Sequence, residues 1–353
     1  MFTFPPLRHL IGIILFIIPT LSISATPAKV LVVHSYEQDH VCGRPQGDGV
    51  EQALKDKGWT KGENLELVSY YMNTKKIHTT PKAMRRQADL VKAKIDEFNP
   101  RVVVLLDDNA IREVMLPLIS RKEIAFVFTG MNGQPEDYNK KAPFMVNRER
   151  PGSNVTGVYE KLWISKSLVV MEAALNGFAQ DDKVVGITDF SPTGNAITRQ
   201  FELELSENPL SVKWELHRVK DFTEYQALIK ELNNDPKVRA IYPAALRLET
   251  DHGDVYTAKK IFEWTTANSR APEMALNYFF SKIGLFGGAA VDFAAMGYMA
   301  GERAARILRG EKAGAIPIEE AKEYAIVFNH KRANELGIKI PDSLLTAADH
   351  VYR

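Results

Sequence analysis

From Lys29 almost to the end of the 353-residue chain, short β-branched or aliphatic runs alternate with longer stretches whose apolar positions recur every three or four residues. Val30-Leu31-Val32-Val33 reads as a strand ending at His34-Ser35-Tyr36. Residues 47–57 have helical spacing at Val50, Ala53 and Leu54, and Gly58 stops them. Residues 65–70 alternate as a strand, and Pro81 opens a helix through Met84, Ala88, Val91 and Ile95 to Phe98. Residues 102–106 are apolar throughout, the signature of a strand buried on both faces. Helix is predicted over 110–118 and strand over 124–129. The polar stretch 132–154 interrupts the alternation, which then restarts. Helices are predicted at 163–175, 194–205, 224–232 and 256–266, and strands at 184–188, 212–219, 240–242 and 274–276.

Strand–helix alternation of this kind predicts an α/β protein with parallel, doubly wound sheets. Two such halves in one chain predict two lobes joined by a hinge. The expected lobes are 29–158 plus 287–312 and 159–286 plus 313–353, with crossings near 157–162, 285–289 and 313–318. A last long helix, 293–308, is dense in Gly and Ala, which lets it approach a sheet closely. Glu302, Arg303 and Arg306 exclude it as a membrane span.

The amino terminus changes the picture of where the protein works. Arg8 precedes an unbroken apolar run, residues 10–18, followed by Pro19 and the small residues Ser22, Ser24 and Ala25. These are the parts of a secretory signal peptide over 1–25, cleaved near Ala25, and the run is too short to span a bilayer. No Cys lies beside the exit to carry a lipid, so a free periplasmic protein is expected. Cys42 is the only thiol, so no internal disulfide supports the fold, and a buried, inert thiol is expected. Lys and Arg number 45 against 44 Asp and Glu, which gives no general attraction for nucleic acid.

The tail GYMAGERAARILRG (297–310), Ala315-Ile316-Pro317-Ile318, Phe328-Asn329 and ANELGIKIP (333–341) resembles the family of ABC-transporter substrate-binding proteins with the type I periplasmic binding fold. So do Ser343-Leu344-Leu345, Ala348-Asp349-His350-Val351 and Asn154-Val155-Thr156-Gly157-Val158. In the first half, His34-Ser35-Tyr36, Tyr71-Met72-Asn73-Thr74-Lys75-Lys76, Asp107-Asp108-Asn109-Ala110 and Phe128-Thr129-Gly130-Met131-Asn132 resemble a branch in which this fold also serves as a sensor module. The resemblance implies a monomer that closes on a small ligand and presents it to a membrane permease, or alternatively to a membrane sensor kinase. Amino-acid-binding members usually carry small hydroxyl residues after the third strand, where this chain has two Asp.

Ligands of open α/β lobes bind outside the carboxyl ends of the strands. Three polar motifs converge there: Ser35-Tyr36, Asp107-Asp108-Asn109 and Asn132. A carboxylate at 107 or 108 would take charge-assisted hydrogen bonds from an ammonium or ring N–H. Capping of the following helix is the competing role, with Asp108 or Asn109 as the cap. Tyr36 offers a stacking surface, or covers the first helix. Asn132 offers a donor and an acceptor, or serves a turn beside Gly130. Glu160 follows the exit from the first lobe and is expected near the hinge. In the second lobe Asp189, Phe190, Tyr242 and Asn277 end strands, with Phe190 and Tyr242 expected as apolar walls.

Enzyme readings find little support. The chain has no Gly-x-Ser-x-Gly elbow, P-loop, His-Glu-x-x-His or paired-Cys motif, so neither a cofactor nor a metal is expected. Asp251-His252-Gly253-Asp254 reads as a polar loop in preference to a metal site.

Overall fold

The computed structural model describes residues 26–207, 210–244, 246–250 and 255–353. Residues 1–25, expected to be a signal peptide, and 251–254, expected to be a polar loop, lie outside the described residues.

The first lobe begins with β1 (Ala28–His34), α1 (Gly43–Asp56), β2 (Leu65–Tyr71), α2 (Pro81–Phe98) and β3 (Val102–Leu106). After β3 comes α3 (Asp107–Ala110), which runs through a π-turn (Ile111–Met115) into α4 (Leu116–Leu118). Next are β4 (Ala125–Met131), α5 (Pro135–Asn139) and β5 (Val155–Tyr159). The chain then enters the second lobe through α6 (Ile164–Ala174), β6 (Lys183–Asp189), α7 (Pro192–Glu207), β7 (Lys213–Val219), α8 (Phe222–Leu232) and β8 (Val238–Pro243). It continues with α9 (Ala258–Asn268), α10 (Tyr278–Lys282) and β9 (Gly287–Val291), and returns to the first lobe as α11 (Phe293–Leu308) and β10 (Glu319–Glu320). The second lobe is finished by β11 (Tyr324–Asn329), α12 (His330–Glu335), α13 (Asp342–Ala347) and β12 (His350–Tyr352).

The first sheet has strand order β10-β5-β4-β3-β1-β2, parallel throughout. Its continuous apolar strands are buried on both faces. One face packs Leu31, Val103, Leu105 and Phe126 against Val91, Ile95 and Ile111. The other packs Val30, Val104 and Val127 against Val50, Leu54, Ala300 and Ala304. The small residues of α11 do let it approach closely, and what it approaches is also a helix. A side chain at Gly297 would overlap the carbonyl of Gln46 on α1, and one at Gly301 would lie 2.6 Å from Val50 O. The two backbones pack directly on each other.

The second lobe is built on β7-β6-β8 and β12-β11-β9. Single bridges Ile241–Glu273, Met274–Gly287 and Asn277–Val291 connect the two groups through residues 273–277, the predicted short strand. One pairing departs from the parallel expectation: β11 runs antiparallel to β9, from Tyr324–Val291 to Phe328–Gly287.

Two lobe boundaries differ from the sequence expectation. Gly287–Val291 belongs to the second lobe, because it pairs with β11. Residues 313–320 belong to the first, because Ala313 and Ile316 enter its core and β10 pairs with β5. The crossings therefore fall at 160–163, at Asp292 and at 321–323. Gly287 and Gly288 had read as a crossover turn; they are strand residues, and a side chain on Gly287 would collide with the backbone of Val327.

The first and third crossings are fastened together. Lys161 Nζ lies 2.7 Å from Glu320 Oε1, and the Trp163 and Tyr324 rings pack with centroids 5.0 Å apart. Glu204, on α7, accepts the amides of Leu162, Trp163 and Ile164 at 2.7, 3.3 and 3.0 Å. One carboxylate thus caps the helix entering the second lobe, a job usually done by the residue just before the helix.

Candidate functional site

The carboxyl ends of β1, β3, β4 and β5 converge where α1 begins, and there the first lobe gathers buried polar groups. Ser35 Oγ donates to Leu106 O at 2.6 Å and accepts the amide of Ala110 at 2.8 Å. Its hydroxyl is occupied in tying β1 to β3 and in capping α3. That capping role had been open to the aspartates, and Ser35 releases Asp107 from it.

Asp107 has a left-handed backbone, φ 67°, which turns its side chain into the lobe interior. Oδ1 accepts Gln46 Nε2 at 2.9 Å, while Oδ2 is buried without a hydrogen-bond partner. Burial raises this carboxyl to about 7, against the opposing pull of the Gln46 bond. Asp108 is engaged elsewhere. Its Oδ2 accepts Asn132 Nδ2 at 2.7 Å and its Oδ1 accepts the Tyr138 hydroxyl. Asn109 donates to Thr74 Oγ1 at 2.8 Å and accepts Arg112 at 2.7 Å. The pair Asp108–Asn132 and the chain Thr74–Asn109–Arg112 brace the loops around Asp107.

Glu160, the first hinge residue, is 3% exposed, and its carboxylate forms no ion pair among the described residues. Burial raises it well above the ordinary carboxylate range, and the charges of Asp107 and Asp108 add to the effect. Its own carbonyl accepts Gln200 from α7. Tyr36 is buried, with its ring under Lys75 Nζ at 4.1 Å and against His40 at 4.2 Å. Lys75 itself is exposed at the rim.

From the second lobe comes Tyr242, fully buried, packed on Phe201 at 5.4 Å, its hydroxyl without a partner. It had been expected as an apolar wall; its unpaired hydroxyl makes it a polar one. Burial and the charges of Glu204 and Glu160 hold its phenol protonated. Phe190 is instead 52% exposed, capped by the Arg218 guanidinium 4.1 Å from its ring. Asp189 is spent on its own turn, with Oδ1 accepting the Ser191 amide at 2.7 Å and Oδ2 the Arg247 amide. Asn277 Oδ1 caps α10 through the Phe280 amide at 3.0 Å.

Several groups escaped the sequence reading. Gln46 lies on the buried face of α1 with Gly49, Val50 and Ala53, and a polar residue on an apolar stripe was the available sign. His40 caps α1, its Nδ1 accepting the Cys42 and Gly43 amides at 3.2 and 3.4 Å. Lys75 had been noted only as part of a motif. Cys42 packs against the apolar core of the second lobe, and burial pushes its thiol far above the ordinary range, so it stays unionised. Arg199 of α7 and Asp137 of α5 also pair between the lobes at 3.4 Å.

The two lobes thus meet along a polar seam at the strand ends. A groove of about 640 Å³, lined by His330, Lys331, Glu335 and Arg353, lies at the end of β11 remote from the crossings, and none of its lining side chains is buried and unpaired. Among the described residues no three His, Cys, Asp or Glu side chains are placed to hold a metal ion. Nor is any helix there long and apolar enough to cross a membrane.

Two α/β lobes crossed three times by the chain and meeting over their strand tips define a periplasmic-binding-protein fold of type I. Residues 141–352 match the family described as ABC transporter substrate binding protein, and the chain belongs to that family. Its members bind substrates and are not enzymes. A ligand-free, open substrate-binding protein with adhesive properties from Clostridium difficile is similar at 16% identity and TM-score 0.68, over 92% of this chain and 99% of that one. A conserved domain protein from Vibrio cholerae is similar at 22% identity and TM-score 0.67, over 92% and 100%. The L-Trp complex of an ABC domain from Streptococcus pneumonia is similar at 18% and 0.66, over 92% and 100%. No curated protein sequence matches the chain.

Proposed function

We propose that this substrate-binding protein works in the periplasm, after removal of its signal peptide, by closing as a monomer on a small amine-bearing solute and delivering it to an ABC-type permease. The observation that carries the reading is the pair of buried carboxyl groups at the seam, Asp107 and Glu160, which meet no cationic partner among the described residues. Tyr36 supplies a face for the solute's carbon skeleton and Tyr242 a hydroxyl from the facing lobe. Closure follows because the solute is held by groups from both lobes, so the shut form gains contacts that the open form lacks. Asp108, Asn109, Asn132, Ser35, Asp189 and Asn277 shape the loops that carry these groups, and Phe190 stands at the rim.

The test is native mass spectrometry of the protein purified from a periplasmic extract, followed by small-angle scattering with and without the solute identified. A bound small molecule that is recovered unchanged and that shortens the radius of gyration supports the reading. A ligand that is chemically converted, or no change of shape on saturation, refutes it.

A further inference from the structure

Resting on the reading just given, we infer that the solute is a dication: an organic molecule with two ammonium groups, one for Asp107 Oδ2 and one for Glu160.

Asp107 and Glu160 are each 3% exposed. A third carboxylate, Asp108, is bound by Asn132 and Tyr138, and a fourth, Glu204, by the amides of Leu162, Trp163 and Ile164. The histidines of the region bring no positive charge. Burial lowers His34 to about 4; burial and the neighbouring Lys75 and Lys76 lower His40 to about 2. Among the described residues, Lys75 is the cation whose field lowers both carboxyls, and it sits exposed at the rim over the Tyr36 ring, 3.3 Å from His40 Nε2. Burial keeps each of these carboxyls protonated until a cation replaces its proton, so the seam offers two ammonium sites, of which a monocation fills one and a dication both.

A separate observation from the opposite lobe supports a ligand at the seam. Tyr242 is fully buried with an unpartnered hydroxyl, close enough to Glu160 for that charge to act on it. The Tyr242 hydroxyl and Asp107 Oδ2, both buried without a partner, together with the buried carboxyl of Glu160, fit an N–H-rich occupant between them. The rings of Tyr36 and Tyr242 add faces suited to the methylenes and to the positive charge of such a molecule.

The experiment uses the full mature protein and isothermal titration with α,ω-diamines of three to eight carbons, the matching n-alkylamines and the matching ω-amino acids. The best diamine should bind at least tenfold more tightly than its monoamine, and the zwitterion of the same length should bind most weakly. Glu160→Gln should collapse the diamine-to-monoamine ratio toward one by weakening the diamine at least tenfold. Thermal unfolding of the free variant checks that it is folded, and Glu160→Asp, which keeps the charge, should recover part of the ratio. Equal binding of monoamine and diamine overturns the inference. So does a neutral or anionic molecule recovered by native mass spectrometry, which leaves the solute-binding reading intact. If no small molecule of any class binds or closes the protein, that broader reading falls as well.

Discussion

Asp107→Asn separates the electrostatics of the seam from its packing. Asparagine keeps the shape of the side chain, keeps an oxygen to accept Gln46 Nε2, and is among the few residues at ease with φ 67°. Only the charge is lost. The carboxyl sits at about 7 in the folded protein against an ordinary value of 3.8, because burial disfavours the anion. The folded state therefore binds the extra proton between those limits. Stability is full below about 4 and declines as pH rises through 7. At about 1.4 kcal/mol per pH unit, the gap amounts to roughly 4 kcal/mol above pH 7. That figure is a ceiling, since parting of the lobes would rehydrate the carboxylate at a smaller cost. Asp107→Asn should thus stabilise the ligand-free protein by about 1–4 kcal/mol at pH 8 and leave it unchanged at pH 4, while weakening amine binding. Urea unfolding at both pH values, monitored by tryptophan fluorescence, measures the difference. An unaltered pH slope in the variant, or a loss of stability at pH 8, would refute the reasoning.

Three further perturbations test the frame around the site. Glu273→Ala removes the partner of Arg332, a pair at 2.6 Å with both side chains buried, and should cost about 3–5 kcal/mol in denaturant unfolding. Gly297→Ala forces a methyl group against Gln46 O, displaces α1 from α11, and should lower stability by about 1–3 kcal/mol in the same assay. Glu204→Ala deprives the amides of Leu162, Trp163 and Ile164 of their acceptor. A loss of about 1–3 kcal/mol is expected, with faster hydrogen exchange confined to 162–166.

The regular elements were legible because their signals are local. β3 is five apolar residues flanked by polar ones, and α2 has Thr80 and Pro81 at its start, with Thr80 Oγ1 accepting the Ala83 amide at 3.2 Å. The start of α1 at Gly43, four residues before the expected start, was hidden because its cap is a histidine ring, outside the usual Ser, Thr, Asp and Asn. The lobe boundaries were misplaced for a different reason. Whether 287–291 joins one sheet or the other depends on which strand it pairs with, and β11 lies more than thirty residues downstream. Within the site, position along the chain put forward Asp107, at a strand end, and Glu160, at the exit from the first lobe, and both side chains are buried. It could not tell them from Asp108 or Asp189, because the hydrogen bonds that occupy those two come from Asn132, Tyr138 and Arg247, far off in sequence or on other loops.

The return of the chain as α11 and β10 means that the amino-terminal lobe is finished from its far end. Val30, Val50, Val104 and Val127 stay uncovered until residues 300–308 exist to lie over them. During synthesis that half has one sheet face covered by α1 alone, so it cannot reach its final compactness ahead of the other. A chain cut before Phe293 would keep that face open to water, and it would clump where the whole protein stays dispersed.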